Sequence, residues 1–88
     1  MITEEETRRV VEGYFAAWTS NKVDEAYALL ADDLAFWGPT ASYQSAAAFR
    51  PALAGFAAMT KRAQATELVV QGDRAALLYD CELPPLPA

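Results

Sequence analysis

The stretch YFAAWTSNKVDEAYALLADDLAFWGP, residues 14–39, decides the fold of this 88-residue chain. It predicts the end of one amphipathic helix, a short turn, a second helix and a strand that starts at Leu34. Only a few residues connect the two helices, so we expect the helices to pack as neighbours. Gly38 and Pro39 are predicted to end the strand.

The first helix begins upstream of this stretch. Thr3 and Glu6 have the spacing of a capping box. Three consecutive acidic residues in the first turn interact favourably with the helix dipole and so stabilise the helix. Apolar side chains then recur at helical spacing, at Val10, Val11, Tyr14, Phe15 and Trp18. The pattern predicts that this helix ends near Thr19–Ser20.

The second helix is predicted to start at Asn21, three residues before Asp24, and to end at Asp32–Asp33. The apolar side of this helix consists of Val23, Ala26, Tyr27 and Leu30. The run Leu34–Trp37 predicts a strand because it is too short and too aromatic for a helix. Residues 40–44 are predicted to form a loop.

A third helix is predicted over Ala46–Met59, with Ser45 as its N-cap. Its inward-facing side chains are expected to be Phe49, Leu53, Phe56 and Met59. Pro51 falls inside this range, where a proline removes a backbone hydrogen bond and kinks the helix. The helix therefore either bends at Pro51 or starts with this residue in its first turn.

The last third of the chain predicts a β-hairpin. Two strands, Ala63–Val70 and Ala75–Leu83, flank a turn at Gln71–Arg74, and Pro84, Pro85 and Pro87 stop further pairing. The order helix, helix, strand, helix, strand, strand predicts an α+β fold. We expect one domain over residues 1–88, with the helices on one face of an antiparallel sheet.

Composition excludes several classes of function. The net charge of −5 and the lack of a basic patch argue against a nucleic-acid partner. The chain has no apolar run long enough for a membrane span and no signal-peptide pattern, so a cytoplasmic location is expected. With no histidine and one cysteine, we expect no metal or cofactor, and Asp32–Asp33 are interpreted as a solvated turn.

The segments VVEGYFAAW (10–18) and DEAYALLADDLAFWGP (24–39), with the Gly-Asp-Arg turn at 72–74, resemble the SnoaL-like/NTF2-like superfamily of ketosteroid isomerases and polyketide cyclases. The resemblance implies a cystatin-like α+β cone with a curved sheet. Members usually carry two more long strands beyond the position of LPPLPA (83–88). Either the protein is shortened, or the chain continues, or a second subunit completes the sheet. Because a bare sheet edge favours aggregation, we expect a homodimer or other self-association.

The resemblance also implies a candidate catalytic residue. Ketosteroid isomerases use a tyrosine of the first helix, a late-strand acid and a proton-moving aspartate. Tyr14 matches the tyrosine, Gly38 stands where the aspartate would be, and the late-strand acid would lie beyond Ala88. Asp80, which shares a strand face with Glu82, is the other catalytic candidate if that face lines the interior; otherwise both carboxylates face solvent.

The aromatic residues suggest a binding site. Six of them are expected either to line one apolar pocket for a flat ligand or to fill the core: Tyr14, Trp18, Phe36, Phe49, Phe56 and Tyr79. Cys81 is interpreted as a buried apolar residue. The leading hypothesis is a homodimer that binds a small hydrophobic molecule. The alternatives are an isomerase, cyclase or dehydratase acting on a carbonyl compound, and a non-catalytic dimerisation module.

Overall fold

The computed structural model describes residues 2–39 and 41–84. In chain order its elements are α1 (Glu4–Thr19), α2 (Val23–Tyr27), β1 (Phe36–Trp37), β2 (Ser42–Tyr43), α3 (Ala46–Met59), β3 (Arg62–Gln71) and β4 (Arg74–Glu82). The described strands form two antiparallel pairs, the β1–β2 hairpin and the β3–β4 ribbon. Helices packed on antiparallel strands confirm the predicted α+β class. The predicted loop residue Thr40 and the prolines Pro85 and Pro87 lie outside the described residues.

Helix α1 begins and ends where the sequence predicts. The Thr3 hydroxyl accepts from the Glu6 N–H at 3.1 Å, and the Glu6 carboxylate accepts from the Thr3 N–H at 3.4 Å, which completes the capping box. Ser20 is the C-cap. Trp18 is buried, but Val10, expected to face inward, is exposed. The core packs against the C-terminal half of α1, starting at Tyr14, one turn beyond Val10.

The prediction of a long second helix starting at Asn21 is wrong. Asn21 has a φ of 59°, in the left-handed region that asparagine tolerates better than most residues, and it reverses the chain after α1. Helix α2 starts at Val23 and has only five residues. The Leu29 and Leu30 amides then bond three residues back, to Ala26 and Tyr27, at 3.1 and 3.0 Å, so the chain continues as turns.

The first predicted strand is shorter than expected, and the predicted loop contains a strand. Phe36 pairs with Tyr43 and Trp37 with Ser42. The Gly38 N–H donates to the Ala41 carbonyl at 2.9 Å, which closes the turn between them. A Cβ at Gly38 would lie 2.8 Å from the Phe36 ring, so glycine permits this tight reversal.

Helix α3 has the predicted bounds. The Ser45 hydroxyl accepts from the Ala48 N–H at 3.1 Å, and the helix continues through Pro51. The alternative in which the helix starts with Pro51 in its first turn is therefore wrong. Phe49 and Leu53 are buried as predicted, whereas Met59 is exposed because it ends the helix beyond the core cluster.

The β3–β4 ribbon is the predicted hairpin, with Gln71 paired to Arg74 across the turn. Thr66 is the extra residue of a bulge in β3, since Ala65 pairs with Tyr79 and Glu67 with Leu78. The bulge leaves the two-residue alternation of β4 unbroken. The side chains on either face of β4 therefore alternate as the sequence predicts.

The tip of the ribbon is attached to the first turns of α1. The Thr7 hydroxyl donates to the Gly72 carbonyl at 2.8 Å, and the Gly72 N–H donates to the Glu4 carboxylate at 2.8 Å. Thr7 is buried, and Gly72 has a φ of 59°. These two bonds connect residues more than sixty positions apart and hold the ribbon against α1.

We predict that Thr7→Val lowers the free energy of unfolding by about 1–2 kcal/mol, because it removes a buried hydroxyl donor and leaves the Gly72 carbonyl short of a partner. Urea denaturation measures the change. Thr66→Val is the control, since the Thr66 hydroxyl donates to the Leu78 carbonyl at an exposed position. Its loss should change the free energy of unfolding by less than about 0.5 kcal/mol. Equal urea midpoints for both variants and the native chain would contradict the role of Thr7.

Replacing either of two glycines by alanine should change the stability of the fold in opposite directions. A Cβ would meet nothing within 4 Å at either Gly55 or Gly72, but only Gly72 has a positive φ. We expect Gly72→Ala to destabilise the fold by about 1 kcal/mol, and Gly55→Ala, inside α3, to stabilise it by about 0.5–1 kcal/mol. Thermal denaturation of both variants checks the sign, and a shift in the same direction for both would refute this account.

Candidate functional site

Seven aromatic side chains of the described residues form two clusters. The ribbon cluster consists of Phe15, Trp18, Phe56 and Tyr79, and the hairpin cluster consists of Phe36, Tyr43 and Phe49. Helix α3 contributes one ring to each cluster, since Phe49 and Phe56 lie two turns apart on one face. Five of the six residues expected in one pocket are therefore divided between two neighbouring groups.

Trp18 is the centre of the ribbon cluster. Its ring lies 5.2 Å from that of Phe56, 5.5 Å from that of Phe15 and 5.7 Å from that of Tyr79, measured between centroids. The Phe15 and Tyr79 rings are 5.1 Å apart. Tilted and edge-on pairs at these distances are the favourable arrangements for aromatic side chains. The cluster therefore joins α1, α3 and β4.

The hairpin cluster is set by strand register. Phe36 and Tyr43 are paired across the β1–β2 hairpin, so their side chains share one face. That face packs on α3, where the Phe36 ring stacks on Phe49 with centroids 4.7 Å apart and planes 27° apart. Tyr43 was expected in a loop, and no local signal marked it as part of a strand.

The ribbon has two chemically different faces. Because Tyr79 contacts Phe15 and Trp18 of α1, residues that share its side form the inner face: Ala63, Ala65, Leu68, Val70, Ala75, Leu77, Tyr79 and Cys81. Asp80 and Glu82 belong to the outer face, and both are exposed. Glu82 forms a surface ion pair with Arg62 at 3.6 Å. The structure therefore does not bring Asp80 together with Tyr14, which packs against the core on the opposite side of the ribbon.

Tyr14 of α1 and Tyr79 of β4 each place a phenol group on the helix side of the ribbon. Burial raises the pKa of Tyr14, and repulsion from the nearby Tyr79 raises it further. Burial also raises the pKa of Tyr79, with a smaller effect from Cys81. Both phenols therefore stay protonated at neutral pH and can donate hydrogen bonds. Sequence reasoning selected Asp80 as the second catalytic candidate beside Tyr14. The alternation of side chains along β4 already placed Tyr79 and Cys81 together, on the face opposite to Asp80.

Several inner residues are only partly covered. Tyr79 is 41% exposed and Phe36 is 37% exposed, although each ring points to the helix side of its strand. Cys81, expected to be buried, is exposed. The prediction for Cys81 is wrong because the rings of α1 contact the ribbon at Tyr79, and Cys81 lies two residues further along β4, where its side chain is exposed.

Two open grooves lie on the surfaces of the helices. One, of about 510 Å³, runs between α1 and α2 and includes Gly13, Lys22 and Leu29. The other, of about 400 Å³, lies between α2 and α3 beside Arg50, which pairs with Asp24. None of the six predicted ligand-binding residues lines either groove. Within the described ranges, no three Cys, Asp or Glu side chains lie close enough together to hold a metal ion.

Comparisons with known proteins agree with this architecture. The fold is similar to the crystal structure of a protein from Kribbella flavida DSM 17836, described only as being of known function, with 27% sequence identity and a TM-score of 0.80. The similarity covers 90% of this chain and 65% of that one, so this chain spans less than two thirds of its relative. No curated protein matches the chain significantly. No helix in the described part has the length and apolarity needed to cross a membrane.

A family model described as a SnoaL-like domain matches residues 11–87. The match includes the α1–α2 segment and the ribbon, which are the parts of the sequence that carry the resemblance. It also includes Tyr14 and Tyr79. Because the match spans most of the chain and the fold agrees with it, this protein belongs to the SnoaL-like domain family.

Proposed function

We propose that this SnoaL-like domain binds a small, flat, hydrophobic molecule against its inner aromatic side and does so as a homodimer. The observation that carries the proposal is the exposure of Tyr79 and Phe36, at 41% and 37%, on the helix side of their strands. Covering apolar surface contributes about 25 cal/mol per Å², so a flat ligand gains affinity by lying on either ring, and Tyr79 of the ribbon cluster is the more exposed of the two.

The chemistry of the inner face favours binding over proton transfer. Its described residues on the ribbon are alanines, apolar side chains, one tyrosine and one cysteine, with no carboxylate among them. A general base must reach the proton that it removes, directly or through one water. Asp80 and Glu82 are on the other face, so the isomerase, cyclase and dehydratase alternatives find no carboxylate base on the described inner face of the ribbon.

The outer face of the ribbon supports the homodimer. Val69 and Leu78 are diagonal neighbours there, and they are 50% and 51% exposed. Charged side chains of both signs surround them, among them Arg62, Asp80 and Arg74. A two-fold interface needs one patch that is complementary to itself, and an apolar centre with mixed charges at its rim meets that need. This face also accommodates the alternative of a dimerisation module without a ligand.

The ligand proposal is tested with 2-acetylnaphthalene as the probe. We expect saturable binding by the native chain and a dissociation constant raised about 3- to 10-fold by Tyr79→Ala, which removes an exposed ring from the inner face. Leu29→Ala is the matched control, because Leu29 is also 41% exposed but lies beside the groove between α1 and α2. Isothermal titration calorimetry measures both. A native chain that never saturates, or equal effects of the two variants, rejects the proposed site.

The dimer is tested by a charge on the outer face. We expect Leu78→Lys to convert the dimer to a monomer at micromolar concentration, because the added ammonium group would have to be buried without a partner. Leu29→Lys adds the same charge elsewhere and should leave the dimer intact. Sedimentation equilibrium distinguishes the two states, and a native chain that sediments as a monomer disproves the homodimer.

A further inference from the structure

We infer that the two copies of the proposed homodimer join edge to edge, with β4 of each copy paired antiparallel to β4 of the other about a two-fold axis at Leu78. This inference rests on the proposed homodimer and adds the surface through which the copies meet. It also brings Leu77 of the second copy beside Tyr79 of the first.

The outer edge of β4 is free and regular. Within the described residues β4 pairs only with β3, so every second residue of β4 directs its backbone N–H and C=O groups away from the ribbon. An edge of this kind accepts another strand through main-chain hydrogen bonds. The strand runs for nine residues, Arg74–Glu82, and neither a proline nor a bulge interrupts it.

The opposite edge of the ribbon is protected. Thr66 is the bulged residue of β3, and a bulge disrupts the ladder and increases the local twist of its strand. Natural sheets use such bulges to prevent pairing between exposed edges. Since β3 carries this protection and β4 does not, β4 is the edge that the structure leaves suited to another strand.

The charges of β4 select a second copy of the same strand as the partner. With Leu78 opposite Leu78 of the second copy, antiparallel pairing matches all nine residues of β4 and places Arg74 opposite Glu82 at both ends. Arg74 forms no ion pair with a described residue, and Glu82 has only the surface pair with Arg62 at 3.6 Å. Cross-strand pairs of opposite charge stabilise a sheet, and two-fold symmetry forms this pair twice.

Other registers fit the same strand less well. An axis one residue nearer the turn leaves Cys81 and Glu82 without partners, and an axis one residue further along leaves Arg74 without an opposite charge. An axis at Asp80 sets two carboxylates directly opposite each other, which destabilises the pairing. The register centred on Leu78 is therefore the one in which the whole strand is complementary to itself.

Edge pairing joins both faces of the two ribbons. On the outer face the two Leu78 side chains, each 51% exposed in the single chain, meet at the axis. On the inner face Leu77 of each copy lies opposite Tyr79 of the other, at the cross-strand spacing of about 4.5–5.5 Å between Cβ atoms. The second copy therefore extends the apolar surface on which the proposed ligand lies.

A disulfide on the inner face tests this register. In the inferred dimer Ala75 lies opposite Cys81 of the second copy, whereas within one copy the two residues are about 20 Å apart along β4. We expect Ala75→Cys to form a covalent dimer on oxidation with diamide, and Cys81→Ser in the same chain to abolish it. Ala76→Cys is the matched control, because Ala76 is also exposed but faces outward. Non-reducing electrophoresis measures the covalent fraction.

A charge exchange tests the two ends of the pairing. We expect Arg74→Glu to raise the dissociation constant of the dimer about 10-fold, because it opposes Glu82 of the second copy twice. Adding Glu82→Arg to the same chain should restore the native dissociation constant to within about 3-fold. Arg9→Glu is the control, since it changes the net charge equally at an exposed position of α1. Sedimentation equilibrium measures all four chains.

The outcomes separate edge pairing from the homodimer itself. A covalent dimer that depends on Cys81 supports edge pairing, because a face-to-face contact of the outer faces would keep Ala75 and Cys81 on remote surfaces. If the native chain sediments as a dimer but Ala75→Cys forms no covalent dimer, or the charge exchange gives no recovery, edge pairing is overturned and the homodimer stands. If the native chain sediments as a monomer, the homodimer fails and this inference fails with it.

Discussion

The burial of Trp18 is the constraint on which the rest of the structure depends. Its indole is 4% exposed and contacts rings from α1, α3 and β4, so three elements distant in sequence meet at one side chain. A chain of this length buries only about 60% of its unfolded surface, and truncating a buried tryptophan costs about 3–5 kcal/mol. One residue therefore accounts for a large share of a small total stability.

A second attachment determines how the ribbon lies on α1. Thr7 and Glu4 hold its tip at Gly72, while Trp18 and Phe15 hold Tyr79 near its far end. Two attachments along one helix orient the ribbon and decide which of its faces points inward. The position of Tyr79 beside Tyr14 follows from this orientation, so the same contacts that stabilise the fold also assemble the candidate site.

The alternation of side chains along β4 places two kinds of chemical group on opposite faces of the ribbon. Tyr79 and Cys81 lie on the inner face, whereas Leu78, Asp80 and Glu82 lie on the outer face. Phenols and apolar groups are therefore available to a ligand, and carboxylates are available to solvent or to a second copy of the chain. Because SnoaL-like folds host many activities, this division of residues says more about function than the fold does.

The amino-acid sequence by itself determined the bounds of α1 and α3 and the turn of the ribbon, because caps, apolar periodicity and a glycine at positive φ are local signals. It also determined the two faces of β4. Only the tertiary structure decided that β2 exists, that α2 ends after one turn, that Cys81 is exposed and that Tyr79 lies beside Tyr14. The positions of Cys81 and Tyr79 depend on contacts between α1 and β4, which are far apart in the chain and leave no local pattern. The strand β2 pairs with residues close in sequence, but the hairpin that it forms packs on α3 through Phe36 and Phe49.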